Sequence, residues 1–73
     1  SQLYETLCCL AKNGFNSAAT ANEMFLHRNT LSYRKQKIAA VTGLDLDDFN
    51  TQFMLKYSYM IEEYIGKQSG TKL

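Results

Sequence analysis

The chain has 73 residues, 45% of them hydrophobic and 21% charged, with a formal net charge of +1. That length allows one small domain burying about 60% of its unfolded surface, with little room for a deep catalytic cleft. The composition is globular rather than disordered, and no apolar run approaches the roughly 18 residues of a membrane span.

Proline is absent, and apolar residues recur mostly at spacings of three and four, which predicts an all-α domain of about four helices. Leu3, Leu7 and Leu10, flanked by Tyr4, Cys8 and Ala11, form the stripe of a first amphipathic helix from about Gln2 to Lys12. Asn13-Gly14 ends it, with glycine able to take the left-handed cap.

A second helix is expected from Asn16-Ser17, because either short side chain can accept from free backbone N–H groups. Its body, Ala18 to Met24, is rich in small residues and lets another helix approach closely. A break follows at Phe25-Leu26-His27. The third helix runs from about Arg28 to Val41, capped by His27 or Asn29 and stopped by Thr42-Gly43.

Asp47 or Asp48 then complements the dipole of a last helix, from about Asp48 to Tyr64 or Ile65, ended by Gly66. Phe49, Phe53, Tyr57, Met60 and Tyr64 line one stripe of it, widened by Met54, Ile61 and Ile65. The simplest reading of that stripe is core; any excess over what the core needs would serve a dimer contact. Residues 1–66 form the domain, and Lys67–Leu73 a frayed polar tail.

The chain begins at Ser1 and shows no signal-peptide pattern, so we expect a piece of a longer protein or a processed chain. Cys8 and Cys9 are adjacent and close no useful loop, and with a single His they do not complete a zinc site. Reduced thiols in a cytoplasmic protein are expected, one packed as a small hydrophobe. No cofactor, metal or membrane partner is indicated. An enzyme is the weakest reading, since His27 has no evident nucleophile partner and no glycine-rich phosphate loop is present.

Charge is unevenly distributed. From Leu26 to Thr42 lie His27, Arg28, Arg34, Lys35 and Lys37 with no acid, whereas Asp45 to Glu63 carries five acids against Lys56. A nearly neutral chain with one basic segment still presents a local positive field. A short helix, a tight break and a longer basic helix make a helix-turn-helix pattern from Asn16 to Ala40. Ala21 is small where the two helices cross, Leu26 pins the turn, and Leu31 and Ile38 share a buried face. Asn29, Tyr33, Gln36 and Lys37 lie opposite.

This chemistry favours duplex DNA. Arg28, at the positive end of the third helix, suits a bidentate contact to guanine O6 and N7. Thr30, Ser32 and Tyr33 suit phosphate oxygens, as does Lys37 as a point charge, and Asn16 and Ser17 at the preceding helix start suit another phosphate. Plainer roles compete: His27 as a helix cap, Arg34 in a salt bridge to Glu23 or Asp45, Tyr33 in packing at the domain edge. The rival function is a helical protein-interaction module whose basic helix binds an acidic partner.

His27-Arg28-Asn29-Thr30-Leu31, then Tyr33-Arg34, Lys37-Ile38 and Thr42-Gly43-Leu44-Asp45-Leu46, resembles the C-terminal helix-turn-helix domain of PucR/CdaR-type bacterial transcription regulators. Glu5-Thr6-Leu7, Asn13-Gly14 and Ala18 to Ala21 fit as well, so the likeness runs from about Leu3 to Tyr59. The fold is also similar to the DNA-binding domain of Fis-type proteins. The resemblance implies sequence-specific binding of operator or promoter DNA, with a larger sensory region elsewhere and a homo-oligomer in the full-length protein. It implies His27 and Arg28 nearest the bases, and Asn16, Thr30, Ser32 and Tyr33 near phosphates. Lys35 departs from the family pattern, where the position is usually apolar; its stem is expected to pack and its ammonium to reach the edge. Phe25 stands where many such turns have glycine, so the turn is expected to form without an easy positive-φ residue.

Overall fold

The computed structural model describes the backbone of residues 1–72 and the side chains of residues 1–67. Its helices are α1 (Gln2–Lys12), α2 (Ser17–Glu23), α3 (Arg28–Thr42) and α4 (Phe49–Lys72). There is no strand among the described residues, so the all-α expectation holds.

Each helix start is capped from within the sequence. The Ser1 side chain accepts from the Tyr4 N–H, Asn16 from Ala19, His27 from Asn29, and the Asp48 carboxylate from Thr51. The stops are equally local. Asn13 caps α1, with Gly14 beyond it at φ 63°, and Gly43 ends α3 in the left-handed region at φ 75°.

The core is small: Cys9, Leu10, Ala11, Ala21, Leu31, Ile38 and Leu46, with the buried hydroxyls of Thr6 and Thr20. Both hydroxyls donate back to helical carbonyls, of Gln2 and Asn16, so neither carries an unmet desolvation cost. On α1 the most buried face is Thr6–Leu10 rather than the leucine stripe; Leu3 and Leu7 are half-buried. This follows from its position, since α1 packs against α2, α3 and α4 alike. Cys9 is buried and Cys8 half-buried, and neither is in a disulfide. Burial, reinforced by the Glu23 carboxylate, pushes the Cys9 thiol up, away from the reactive thiolate.

α4 departs from expectation twice. First, it packs on α1, and its half-buried side chains are Thr51, Gln52, Leu55 and Tyr59, while Phe49, Phe53, Met54, Tyr57, Met60, Ile61, Tyr64 and Ile65 are exposed. The aromatic stripe is not core. Two polar contacts hold the inner side: Lys56 Nζ donates to the Ala11 carbonyl, and the Tyr4 hydroxyl donates to Glu62 at 3.2 Å. The Cys8 thiol and Glu62 together hold the Tyr4 hydroxyl up at about 12.

Second, Gly66 does not end α4, which continues to Lys72. A glycine inside a helix costs about 1 kcal/mol and does not by itself break it. Residues 67–72 therefore have helical backbone, and Leu73 lies outside the described residues.

Candidate nucleic-acid interface

The turn joining α2 to α3 is built from short-range bonds. The Met24 N–H donates to Thr20, that of Phe25 to Asn22 and that of Leu26 to Ala21. Leu26 is half-buried and Ala21 is buried at the crossing, as expected. Phe25 itself takes the left-handed conformation, φ 56°, with its side chain 95% exposed. The turn does require a positive φ, and a bulky residue supplies it at the cost of strain.

The basic run divides into two pairs. Arg34 and Lys35 turn inward and are half-buried. Arg34 Nη1 donates to Thr6 Oγ1 at 3.3 Å. The expected salt bridge to Glu23 or Asp45 is absent among the described residues: Glu23 pairs with Lys12 at 3.1 Å, and Asp45 caps the Asp47 N–H. Lys35 reaches the edge as expected, its Nζ 3.2 Å from Ser17 Oγ and 3.8 Å from Asp47 Oδ1.

Arg28 and Lys37 point outward. Arg28 has no hydrogen-bond or ion-pair partner among the described residues, and Lys37 lies over the Tyr33 ring, 5.9 Å from its centroid. Around them, the exposed side chains of Asn29, Thr30, Ser32 and Gln36 make no hydrogen bond among the described residues. Tyr33 is 61% exposed, which replaces packing at the domain edge with an open face.

Ser17, Arg28, Asn29 and Ser32 come together along one open groove of about 640 Å³, which Lys35 and Gln36 also line and which Asp45 and Asp47 bound. Asn16 stands at the cap of α2, its Oδ1 already accepting from Ala19. His27 resolves the choice of cap for α3: its Nδ1 accepts from the Asn29 N–H at 3.0 Å. Thr30, Tyr33 and Lys37 lie outside the groove. The acidic wall escaped the sequence reading, because the residues that carry it, Asp45 and Asp47, sit on a connection whose path a spacing argument does not give.

An exposed helix free of acids, set behind a short capped helix by a tight turn, defines a helix-turn-helix domain. Residues 3–61 match the family described as the PucR C-terminal helix-turn-helix domain, and the chain belongs to that family. The chain is 36% identical over 61 residues to the carbohydrate diacid regulator of Escherichia coli (strain K12), covering 84% of this chain and 16% of that protein. It is 34% identical over 61 residues to the proline-responsive transcriptional activator PutR of Bacillus subtilis (strain 168), covering 84% of this chain and 15% of that one. The chain thus spans about one-sixth of the length of these relatives. No solved structure matches it. No helix among the described residues is long and apolar enough to cross a membrane.

Proposed function

We propose that this domain binds duplex DNA sequence-specifically, as the DNA-reading part of a cytoplasmic bacterial transcription regulator that works as a homo-oligomer. The observation that carries the reading is the outward face of α3. Arg28, Asn29, Thr30, Ser32, Tyr33, Gln36 and Lys37 are exposed there, and apart from the Tyr33–Lys37 contact none has a partner among the described residues. A row of uncommitted donors beside the outward cations of Arg28 and Lys37 matches a groove edged by acceptors and flanked by phosphates.

In this reading α3 enters the major groove. Arg28, at its positive end, reads guanine O6 and N7, with His27 beside it. Lys37, Thr30, Ser32 and Tyr33 hold phosphates, and Asn16 and Ser17 hold another from the start of α2. Asn29 faces the base edges. Paired domains would read half-sites about 34 Å apart.

The test is selection of bound sequences from a random duplex pool at two salt concentrations, since phosphate binding weakens steeply with salt. An enriched motif supports the reading. Binding without enrichment reduces the domain to an electrostatic anchor. No binding at low salt favours instead a module whose basic helix takes an acidic protein partner.

A further inference from the structure

The outward side of α4 carries Phe49, Phe53, Met54, Tyr57, Met60, Ile61, Tyr64 and Ile65, between 42% and 77% exposed. At 3.6 residues per turn these residues and Asn50 occupy one arc, opposite the half-buried Gln52–Leu55–Tyr59 side. The charged residues of the same span, Lys56, Glu62 and Glu63, fall outside that arc. Lys56 and Glu62 bond to α1, and burial, followed by the Glu63 carboxylate, holds the Tyr59 hydroxyl above its ordinary range. A helix apolar on both sides is one that needs cover on both.

We propose that a second copy of this chain covers it, through an antiparallel α4–α4 pair whose two-fold axis passes at Tyr57. The sequence is self-complementary about that point. Asn50 then opposes the Tyr64 hydroxyl and Phe53 opposes Ile61, while Tyr57 meets its own copy, with Phe49 and Met60 along one flank of the seam and Met54 and Ile65 along the other. That is the isologous pattern a two-fold interface requires. Antiparallel alignment also sets opposite helix-dipole ends side by side. The area suffices: eight half-exposed large side chains offer roughly 100 Å² each, about 800 Å² per copy, the size of a standard specific interface. The stacked Phe53 and Tyr57 rings, 6.3 Å apart and 5° from parallel, present a flat, ordered centre. α4 packs on α1 and on neither α2 nor α3 among the described residues, so its outward face lies away from the α2–α3 unit. The inference does not rest on DNA binding.

Sedimentation equilibrium of this chain tests it. A concentration-dependent doubling of the 8.3 kDa mass is expected. Tyr57→Lys, which sets like charges against each other on the axis, should return the mass to that of one chain with helicity by circular dichroism unchanged. Phe53→Glu and Ile61→Lys should each weaken pairing, and mixing the two variants should restore it, because Glu then faces Lys across the pair. A wild-type chain that stays monomeric at hundreds of micromolar overturns the proposal. So does a dimer indifferent to Tyr57→Lys, or variants whose mixture fails to pair.

Discussion

Arg34 reaches α1 through a hydroxyl: its Nη1 lies 3.3 Å from Thr6 Oγ1, and Thr6 in turn donates to the Gln2 carbonyl at 2.7 Å. Thr6 is fully buried, so the link between α3 and α1 is a charge-assisted hydrogen bond to a neutral group. Thr6→Val keeps the volume and removes the acceptor. A loss of about 1–2 kcal/mol is expected, read from urea midpoints, and Arg34→Met should recover part of it in the double variant. An unchanged midpoint in Thr6→Val would mean that Arg34 gains nothing from this contact.

The turn at Phe25 stores strain without packing in return. Its φ is 56° and its side chain 95% exposed. Phe25→Gly should relieve the left-handed penalty of about 1–2 kcal/mol and lose part of that gain to chain entropy. The net expectation is a domain more stable by about 0.5–1 kcal/mol, with unchanged DNA affinity. A weaker DNA complex at equal or greater stability would give the ring a role in binding.

Arg28 and Lys37 should separate by kind of contact. Arg28→Ala is expected to cost about 1–3 kcal/mol and to relax preference at one base position. Lys37→Ala should weaken all sequences alike and lower the salt slope by about one. Titrations on matched and scrambled duplexes at several salt concentrations distinguish these outcomes. Both side chains point outward, so neither variant should shift the thermal midpoint.

The tie between α1 and α2 should respond to acid and to alkali. Lys12, and then Cys9 and Asn13, hold the Glu23 carboxyl below its ordinary value of 4.5. Its contribution is present above the carboxylate range and lost as pH falls through the lowered value. Glu23 holds Lys12 above 10.5, so that contribution is present below this value and lost as pH rises through the raised one. The pair is intact between about pH 5 and pH 10. Glu23→Gln should flatten the acid limb of urea midpoints, less so at high salt because the pair is exposed. Parallel acid limbs in both proteins would assign the sensitivity elsewhere.

Much of the scaffold was legible because its signals are local. Asn16, Asp48 and Gly43 mark helix ends through their own chemistry, and Ala21, Leu31 and Ile38 mark the crossing through size and spacing. What escaped depends on which side a neighbour occupies. Periodicity shows that α4 has an apolar stripe but not that α1 takes the opposite side. Charge counting proposed an acid for Arg34, whereas the buried Thr6 hydroxyl stands closer. At the candidate interface the outward direction of Asn29, Tyr33, Gln36 and Lys37 follows from helical spacing, and the structure agrees. The groove shared by Ser17 and Arg28, and its acidic boundary, arise from residues far apart in sequence.

α1 is the one helix that every other helix touches, while α4 touches neither α2 nor α3 among the described residues. Among the described residues α4 is therefore tied to the mutually packed α1, α2 and α3 only through α1 and the α3–α4 connection. A tilt of α4 reaches α3 through α1, or along the connection where the Gln52 side chain holds the Leu46 carbonyl at 2.8 Å. The lever arm is long, since 24 helical residues extend about 36 Å. A small rotation where Lys56 holds the Ala11 carbonyl becomes a displacement of several ångströms at the far end of α4, so this point of α1 acts as the fulcrum of α4.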